Sequence, residues 1–339
     1  MKAFVLHSRP GGYSVRDIPE PRPAAGDAVM KVLSSSVNRV DLYVRDSGAG
    51  ITHQLPLVMG VDGAGEIVEA PADSGLTPGQ RVVVFGVHCG KCRFCMSGEQ
   101  TLCLKPMIPG ETRDGNHAEY VALPARAFRP LPDGLEMSDA GAIGGAYSTA
   151  WRMMFGKRAL RPSETVLIVG IGGGVAVACL QIASLIGARA IVTSSSDDKL
   201  ARAKVLGADA GINYRTEPVA ERVMELTHGE GVDMVIDSVG EASWGQSLRS
   251  LRRGGRIVTC GATTGSNPPV ELQRMFIRQL EIYGSTGANW SEFREVMMMI
   301  ARGKIKPVID TTYRLEDVAQ AYDRLFNGEQ FGKIAISMA

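Results

Sequence analysis

Four of the six cysteines fall within fifteen residues, as Cys89-Gly90-Lys91-Cys92-Arg93-Phe94-Cys95 and then, after seven intervening residues, Cys103. Short spacings of this kind let thiolates converge on one tetrahedral ion, and Gly90 and Gly98 permit the turns. Four sulfurs leave no open position for water or substrate. The pattern therefore points to a structural zinc, one per chain, held by Cys89, Cys92, Cys95 and Cys103. Apparent binding energies of ~10–16 kcal/mol for structural zinc are ample to order a loop with little core. Four reduced thiols without metal are the bland alternative. A nucleic-acid-binding finger is disfavoured, because no basic helix follows. Cys179 and Cys260 lie in helical and strand contexts and read as core residues.

A second stretch carries different chemistry. Thr165-Val166-Leu167-Ile168-Val169 runs into Gly170-Ile171-Gly172-Gly173-Gly174, and a helix-compatible run starts at Val175. A strand that ends in glycines and turns straight into a helix aims backbone N–H groups and the helix dipole at one spot, which suits a pyrophosphate. Gly170 and Gly173 give room for the turn and the phosphates, and Ala176 sits where a third glycine often stands. Residues 166–188 carry no charge and would be long enough to span a bilayer, but the glycines argue against one membrane helix. Residues 189–193 read as a second strand, which makes a βαβ unit and favours dinucleotide binding.

The bulk properties fit a soluble enzyme. At 339 residues the chain should form two domains. A net charge of +1, with 45% hydrophobic and 22% charged residues, gives no field for nucleic acid or membrane. The apolar start is too short for a signal peptide, so a cytoplasmic location is expected. Residues 1 to about 125 read as β-rich, with short apolar runs at 28–33, 65–69 and 81–85 separated by turn residues, as in an antiparallel barrel-like domain. From about 125 to 290, strands (232–237, 255–260, 280–283) alternate with helices (198–206, 243–252). This is the rhythm of a parallel sheet with helices on both faces. A helix at 292–302 and a strand at 333–338 belong to a tail expected to return to the first domain.

Taken in order, the motifs resemble the medium-chain dehydrogenase/reductase superfamily over essentially the whole chain. They are Val37-Asn38-Arg39-Val40-Asp41, Pro56-Leu57-Val58-Met59-Gly60-Val61-Asp62-Gly63-Ala64-Gly65, the cysteine cluster and Ala118-Glu119-Tyr120. The Gly turn, Leu206-Gly207-Ala208-Asp209, Asp237-Ser238-Val239-Gly240 and Gly332-Lys333-Ile334 follow. The resemblance implies an α/β protein: a GroES-like catalytic domain (1–124 and 293–339) and a doubly wound Rossmann domain (125–292), with the site between them. It implies hydride transfer with a nicotinamide cofactor, and its zinc-containing branch carries a cysteine loop of this spacing. In zinc alcohol dehydrogenases the pattern would also place a catalytic zinc on a Cys at Asn38, a His at Val61 followed by a Glu, and a Cys at Gly145. None of those ligands is present here, so no catalytic zinc is expected.

Without a Lewis acid, oxidising a simple alcohol is harder, whereas an electron-poor C=C bond or quinone takes hydride with hydrogen bonds holding the developing enolate. The Asn38 and Gly60 signatures are similar to those of quinone oxidoreductases and enoyl reductases. The expected activity is therefore NADPH-dependent reduction of an enone, enoyl compound or quinone. A carbonyl reductase or alcohol dehydrogenase, and a non-enzymatic NADPH-binding scaffold, are the alternatives.

Candidate catalytic residues are Asn38 (donor to a carbonyl or ribose, or a turn former), Tyr43 (phenol donor, or packing), Asp62 (orienting Arg45 or a ribose, or capping) and His53 (proton donor, or an ordinary loop His). Arg45 either attracts an acidic substrate or is a solvated surface residue. Thr149 matches a superfamily Thr that sits against the nicotinamide. With it, Gly170, Gly173, Gly174, Val175, Gly240 and Gly261 form the expected cofactor cradle. The strand 189–193 ends in Ser194, Ser195 and Ser196 with no carboxylate to take a ribose 2′-hydroxyl, and Asp197 and Asp198 read as the start of the next helix. Ser194, Ser195, Lys199 and Tyr214, with Arg215, would cradle a 2′-phosphate, as in NADP-dependent quinone reductases. The strand at 280–283, expected at a sheet edge, suggests a homodimer or homotetramer. The only other partner expected is a small-molecule substrate.

Overall fold

The computed structural model describes residues 1–46, 54–86 and 88–338. The chain divides into two compact units, Met1–Ser148 with Ala288–Ala339, and Thr149–Gly287. The expected boundaries were 125 and 292. Residues 125–148 instead stay with the first unit, because the Phe128–Pro130 strand pairs with Arg81–Val84 and the Met137–Ala140 helix packs on the Asp27–Val37 strand. Residues 288–292 also belong to it.

The first unit is built on the Asp27–Val37 strand. Its apolar positions are almost continuously buried, as a central strand requires. It pairs antiparallel with Asp62–Glu69, Tyr120–Pro124 and Lys333–Ser337, which places the last strand of the chain beside residues 34–37. A separate three-stranded sheet contains Lys2–Ser8, Gly12–Asp17 and Leu57–Val58. Phe4, Leu6, Leu42, Val44, Met59 and Tyr322 share one core beneath it.

The second unit is a six-stranded parallel sheet. Its spatial order, from one edge, is Ala210–Asn213, Arg189–Ser194, Thr165–Ile168, Val232–Asp237, Leu251–Thr259 and Glu281–Gly284. In chain order this is 3-2-1-4-5-6, the doubly wound arrangement, whose topological switch point lies beside the first strand. The uncharged run 166–188 is that first strand, the glycine turn and the Gly174–Ile186 helix, which buries Ala176, Val177, Ala178, Cys179 and Leu180. Among the described residues, no helix is long and apolar enough to cross a membrane. Arg256, fully buried, makes a two-pronged bond to Glu164 at 3.1 and 2.7 Å, and its remaining donors go to the Arg158, Ala159 and Asp233 carbonyls. Such satisfaction is what a buried guanidinium requires.

A buried imidazole makes the first unit acid-sensitive. Gly60, at φ +101°, leaves room for the His117 ring, because a Cβ there would lie 2.5 Å from its Cδ2. His117 Nδ1 meets the Tyr322 hydroxyl at 3.2 Å, while Nε2 has no partner. Burial pushes its pKa down to about 4. The unfolded chain therefore binds the extra proton between its ordinary pKa, about 6.5, and the folded value. Stability contributed by the neutral ring is present above pH 6.5 and is lost as pH falls toward 4, by up to roughly 3 kcal/mol. Replacing both partners (His117→Phe with Tyr322→Phe) is expected to flatten the pH dependence of the urea midpoint between pH 6.5 and 4. A slope equal to the parent's would show that other groups set the acid limit.

Candidate active site and metal centre

The four sulfurs of Cys89, Cys92, Cys95 and Cys103 lie within 4.8 Å of one another. Cys92 and Cys95 approach to 3.5 Å and Cys89 and Cys95 to 3.9 Å. Zinc–sulfur bonds of about 2.3 Å in a tetrahedron put sulfurs ~3.8 Å apart, so the cluster has the size zinc needs. Backbone N–H groups of Cys92 and Lys105 reach the sulfurs of Cys89 and Cys103 at 3.3 and 3.4 Å. N–H groups of Leu104 and Cys95 bring the Cys92 thiol down to about 6, in the direction of the thiolate a metal requires. The donor set fits a closed zinc site.

The positions where the zinc alcohol dehydrogenase pattern would place catalytic-zinc ligands also converge, on different chemistry. Gly145 N–H donates to Asp62 Oδ1 at 2.6 Å, and a Cβ on Gly145 would lie 2.8 Å from Asn38 Oδ1. Val61 and Gly145 offer no side-chain donor atom. The one amide oxygen, Asn38 Oδ1, accepts from Lys333 Nζ at 2.5 Å. The same ammonium reaches the Val37 carbonyl at 3.0 Å and Asp62 Oδ2 at 3.3 Å, so its three hydrogens have three acceptors. Asp62 Oδ2 also accepts from Ser36 Oγ at 2.8 Å and Asn38 Nδ2 at 2.9 Å. Lys333 and Asp62 are 3% and 1% exposed, so the pair is fully desolvated. This set does not fit a zinc ion: the Lys333 ammonium lies against Asn38 Oδ1, and both Asp62 oxygens are taken by N–H and O–H donors.

Asp41 accepts from the Asn38 and Val61 N–H groups, at 2.7 and 3.2 Å, and so holds both segments in register. Burial raises its pKa to about 7, and the Asp62 charge pushes the same way. Tyr43 lies half-buried on the Arg39–Asp46 helix that begins after Asn38. Arg45 is paired with Asp46 at 2.6 Å rather than with Asp62. His53 lies outside the described residues. Lys333 and Ser36 complete the network; the sequence places Lys333 only in the Gly332-Lys333-Ile334 motif, and neither residue is among the expected site residues. The available signal was a lysine opening the otherwise apolar Lys333–Ser337 strand.

In the second unit, Gly170 (φ +74°) and Gly172 (φ +125°) make the turn between strand and helix. Gly173 precedes the helix, and the first intrahelical N–H bond is Val177 to the Gly173 carbonyl. The N–H groups of Gly174, Val175 and Ala176 therefore lack intrahelical acceptors, as at every helix start. A Cβ on Gly173 would meet only the Gly170 carbonyl, at 4.0 Å, so the space is open. Gly240 (φ +89°) and Gly261 lie against the Gly265 and Ser238 carbonyls, where a Cβ would come within 2.6 and 3.0 Å. These turns follow the ends of the next two strands, and Thr149 lies on the Ala146–Phe155 helix. The residues fit a dinucleotide.

At the end of Arg189–Ser194, Ser194 Oγ accepts from Ser196 N–H, and the Tyr214 N–H bonds the Ser194 carbonyl at 3.0 Å. Ser196 caps the following helix by accepting from Lys199 N–H. Asp197, the first carboxylate after the strand, is in the first helical turn and accepts from Asn213 Nδ2 at 2.8 Å.

Comparison with known proteins agrees with this architecture. Residues 24–133 match the family model for the alcohol dehydrogenase GroES-like domain, and 174–302 that for the zinc-binding dehydrogenase. The chain is 31% identical to acryloyl-coenzyme A reductase of Metallosphaera sedula, over 99% of this chain and all of the relative. A crystal structure of an NAD-dependent alcohol dehydrogenase superimposes with a TM-score of 0.94 at 38% identity, covering both chains completely. A cobalt- and zinc-bound thermostable alcohol dehydrogenase from Pyrobaculum aerophilum gives 0.89 at 30% identity, covering 99% of each. The chain belongs to the medium-chain dehydrogenase/reductase superfamily and is an oxidoreductase of that group.

Elemental analysis of the purified protein is expected to find about one zinc per chain. Cys103→Ser should lose it and expose the loop 89–103 to proteolysis. A metal-free parent whose loop resists protease equally would overturn the assignment.

Proposed function

We propose that this chain is an NADPH-dependent reductase of α,β-unsaturated carbonyl compounds or quinones, working without a catalytic metal. The observation that carries this reading is the Lys333 ammonium bonded to Asn38 and Asp62 where relatives would present metal ligands. Oxidising an unactivated alcohol needs strong stabilisation of an alkoxide, usually by a metal. A conjugated acceptor instead takes hydride at its β-carbon, charge moves to the carbonyl oxygen, and a proton then reaches the α-carbon. The bound nicotinamide supplies the hydride.

Asn38 is suited to hold that oxygen. Lys333 can only donate, so the Asn38 amide oxygen faces it and Nδ2 faces Asp62. The other Nδ2 hydrogen has only the Ser36 carbonyl at 3.5 Å, too long for a strong bond. That hydrogen is available to a substrate carbonyl, with the Tyr43 phenol as the second candidate donor. The relative named acryloyl-coenzyme A reductase supports an enoyl substrate. Relatives named alcohol dehydrogenases support the second reading, carbonyl–alcohol interconversion through another proton relay.

Preference for NADPH rests on Ser194, Ser195, Lys199, Tyr214 and Arg215 around a strand end whose first carboxylate, Asp197, is turned to Asn213. A lysine–phosphate contact contributes a few kcal/mol at most, so Lys199→Ala should weaken NADPH about tenfold and leave NADH within roughly twofold. NADPH oxidation should occur with enones, enoyl thioesters or quinones and be at least about a hundredfold slower with ketones. Alcohol oxidation that depends on a second metal ion would overturn the proposal.

We also propose a homo-oligomer, acting in the cytoplasm. The Glu281–Gly284 strand ends its sheet, and Leu272 and Phe276 on the preceding helix are 71% and 69% exposed. An unpaired edge beside apolar side chains suits a second copy. Light scattering should give a dimer or tetramer, and Phe276→Glu should shift it toward monomer.

A further inference from the structure

The cysteine loop is wired to a distant helix. Glu99, Gln100 and Thr101 lie between its third and fourth cysteines. All three bond the start of the Trp290–Ala301 helix, just after the chain re-enters the first unit at Ala288. Thr101 N–H donates to Asn289 Oδ1 at 3.2 Å, and Asn289 Nδ2 donates to Glu99 Oε2 at 3.1 Å. Trp290 N–H, one of the donors a helix start leaves unpaired, reaches Gln100 Oε1 at 3.2 Å. Asn289 is 5% exposed, so the helix end of these bonds is buried, while Glu99 on the loop is exposed. The Trp290 ring is held beneath the Arg129 guanidinium, 4.4 Å from its centroid.

A short loop with no buried residue on its two helical turns has no core of its own to fix residues 99–101. We infer that a metal on the four cysteines does so, and that the loop thereby braces the start of the Trp290–Ala301 helix, holding the Asn289 side chain that forms the helix's capping box with Glu292 and accepting the Trp290 N–H. Metal occupancy then sets the order of that helix's first turn. The inference rests on the zinc reading of the cysteines, and metal content separates the two.

Hydrogen exchange of the full chain tests it: zinc-loaded, after chelation under reducing conditions, and after zinc is restored. Loss of a cap corresponds to roughly tenfold faster opening. Chelation should speed exchange at residues 290–293 by about that factor together with the loop, zinc should reverse it, and the Gly174–Ile186 helix should be unaffected. Gln100→Ala should keep its zinc yet raise exchange at 290–293 several-fold. Unchanged exchange there, in the chelated chain while the loop opens or in zinc-loaded Gln100→Ala, would overturn the inference. A chain that takes up no zinc overturns the cysteine reading and the inference with it.

Discussion

The first unit depends on one buried cation. Lys333 draws together three segments distant in sequence, residues 36–38, 62 and 333, and Asp62 adds Gly145 through its other oxygen. An ammonium without water is costly, and it is tolerated only where every hydrogen is accepted and a counter-charge lies beside it. Both conditions hold. Asp62 receives Ser36, Asn38 and Lys333 on one oxygen and the Gly145 N–H on the other, so both of its oxygens have donors. Removing one partner from such a set would strand the other, a loss on the order of 3–5 kcal/mol for buried pairs. The network therefore secures the Lys333–Ser337 strand against the Asp27–Val37 strand and also fixes the rotamer of Asn38, the amide proposed to meet a substrate.

Two clusters in the same unit show opposite solutions to the same problem of holding a loop in place. At residues 89–103 the side chains are soft donors at the spacing of a tetrahedral ion, and little apolar surface is buried. At residues 38, 61 and 145 an amide, a valine and a glycine stand instead, Asp62 lies beside them, and a lysine provides the positive charge. An ammonium fixes carbonyl and carboxylate oxygens well, but once its three hydrogens are committed it has nothing left for a reacting oxygen. That is why the proposed chemistry is assigned to a conjugated acceptor, whose charge is delocalised and needs less stabilisation.

Features set by short-range spacing were legible in the sequence. The cysteine loop, the glycine turn and the parallel strands Arg189–Ser194 and Val232–Asp237 all declare themselves within a dozen or so residues. What joins distant segments was not. Lys333 meets Asn38 across 295 positions and Asn289 meets Glu99 across 190, and no local pattern encodes either. The Val219–Leu226, Leu272–Arg278 and Val318–Phe326 helices were passed over, being short and lacking a side-chain N-cap. The boundary near 125 was misplaced because the helical pattern begins before the first unit ends: Met137–Ala140 is helical but packs on the Asp27–Val37 strand.

The cofactor choice turns on a carboxylate that is close in sequence and committed in space. Asp197 follows the Arg189–Ser194 strand by three residues, near enough for a count along the chain to credit it with a ribose hydroxyl. Its side chain, however, accepts from Asn213 Nδ2, and its backbone opens a helix capped by Ser196. Turning it outward would cost the Asn213 bond and take negative charge away from a helix N-terminus that stabilises it. In the proposed reading, the position next to the adenosine ribose falls to hydroxyls and to Lys199, groups that do not repel a phosphate. A relative named for NAD at 38% identity shows that the same fold can serve the other cofactor. The proposed preference for NADPH therefore rests on this one strand end, because the glycine turn is indifferent to what the 2′-oxygen carries.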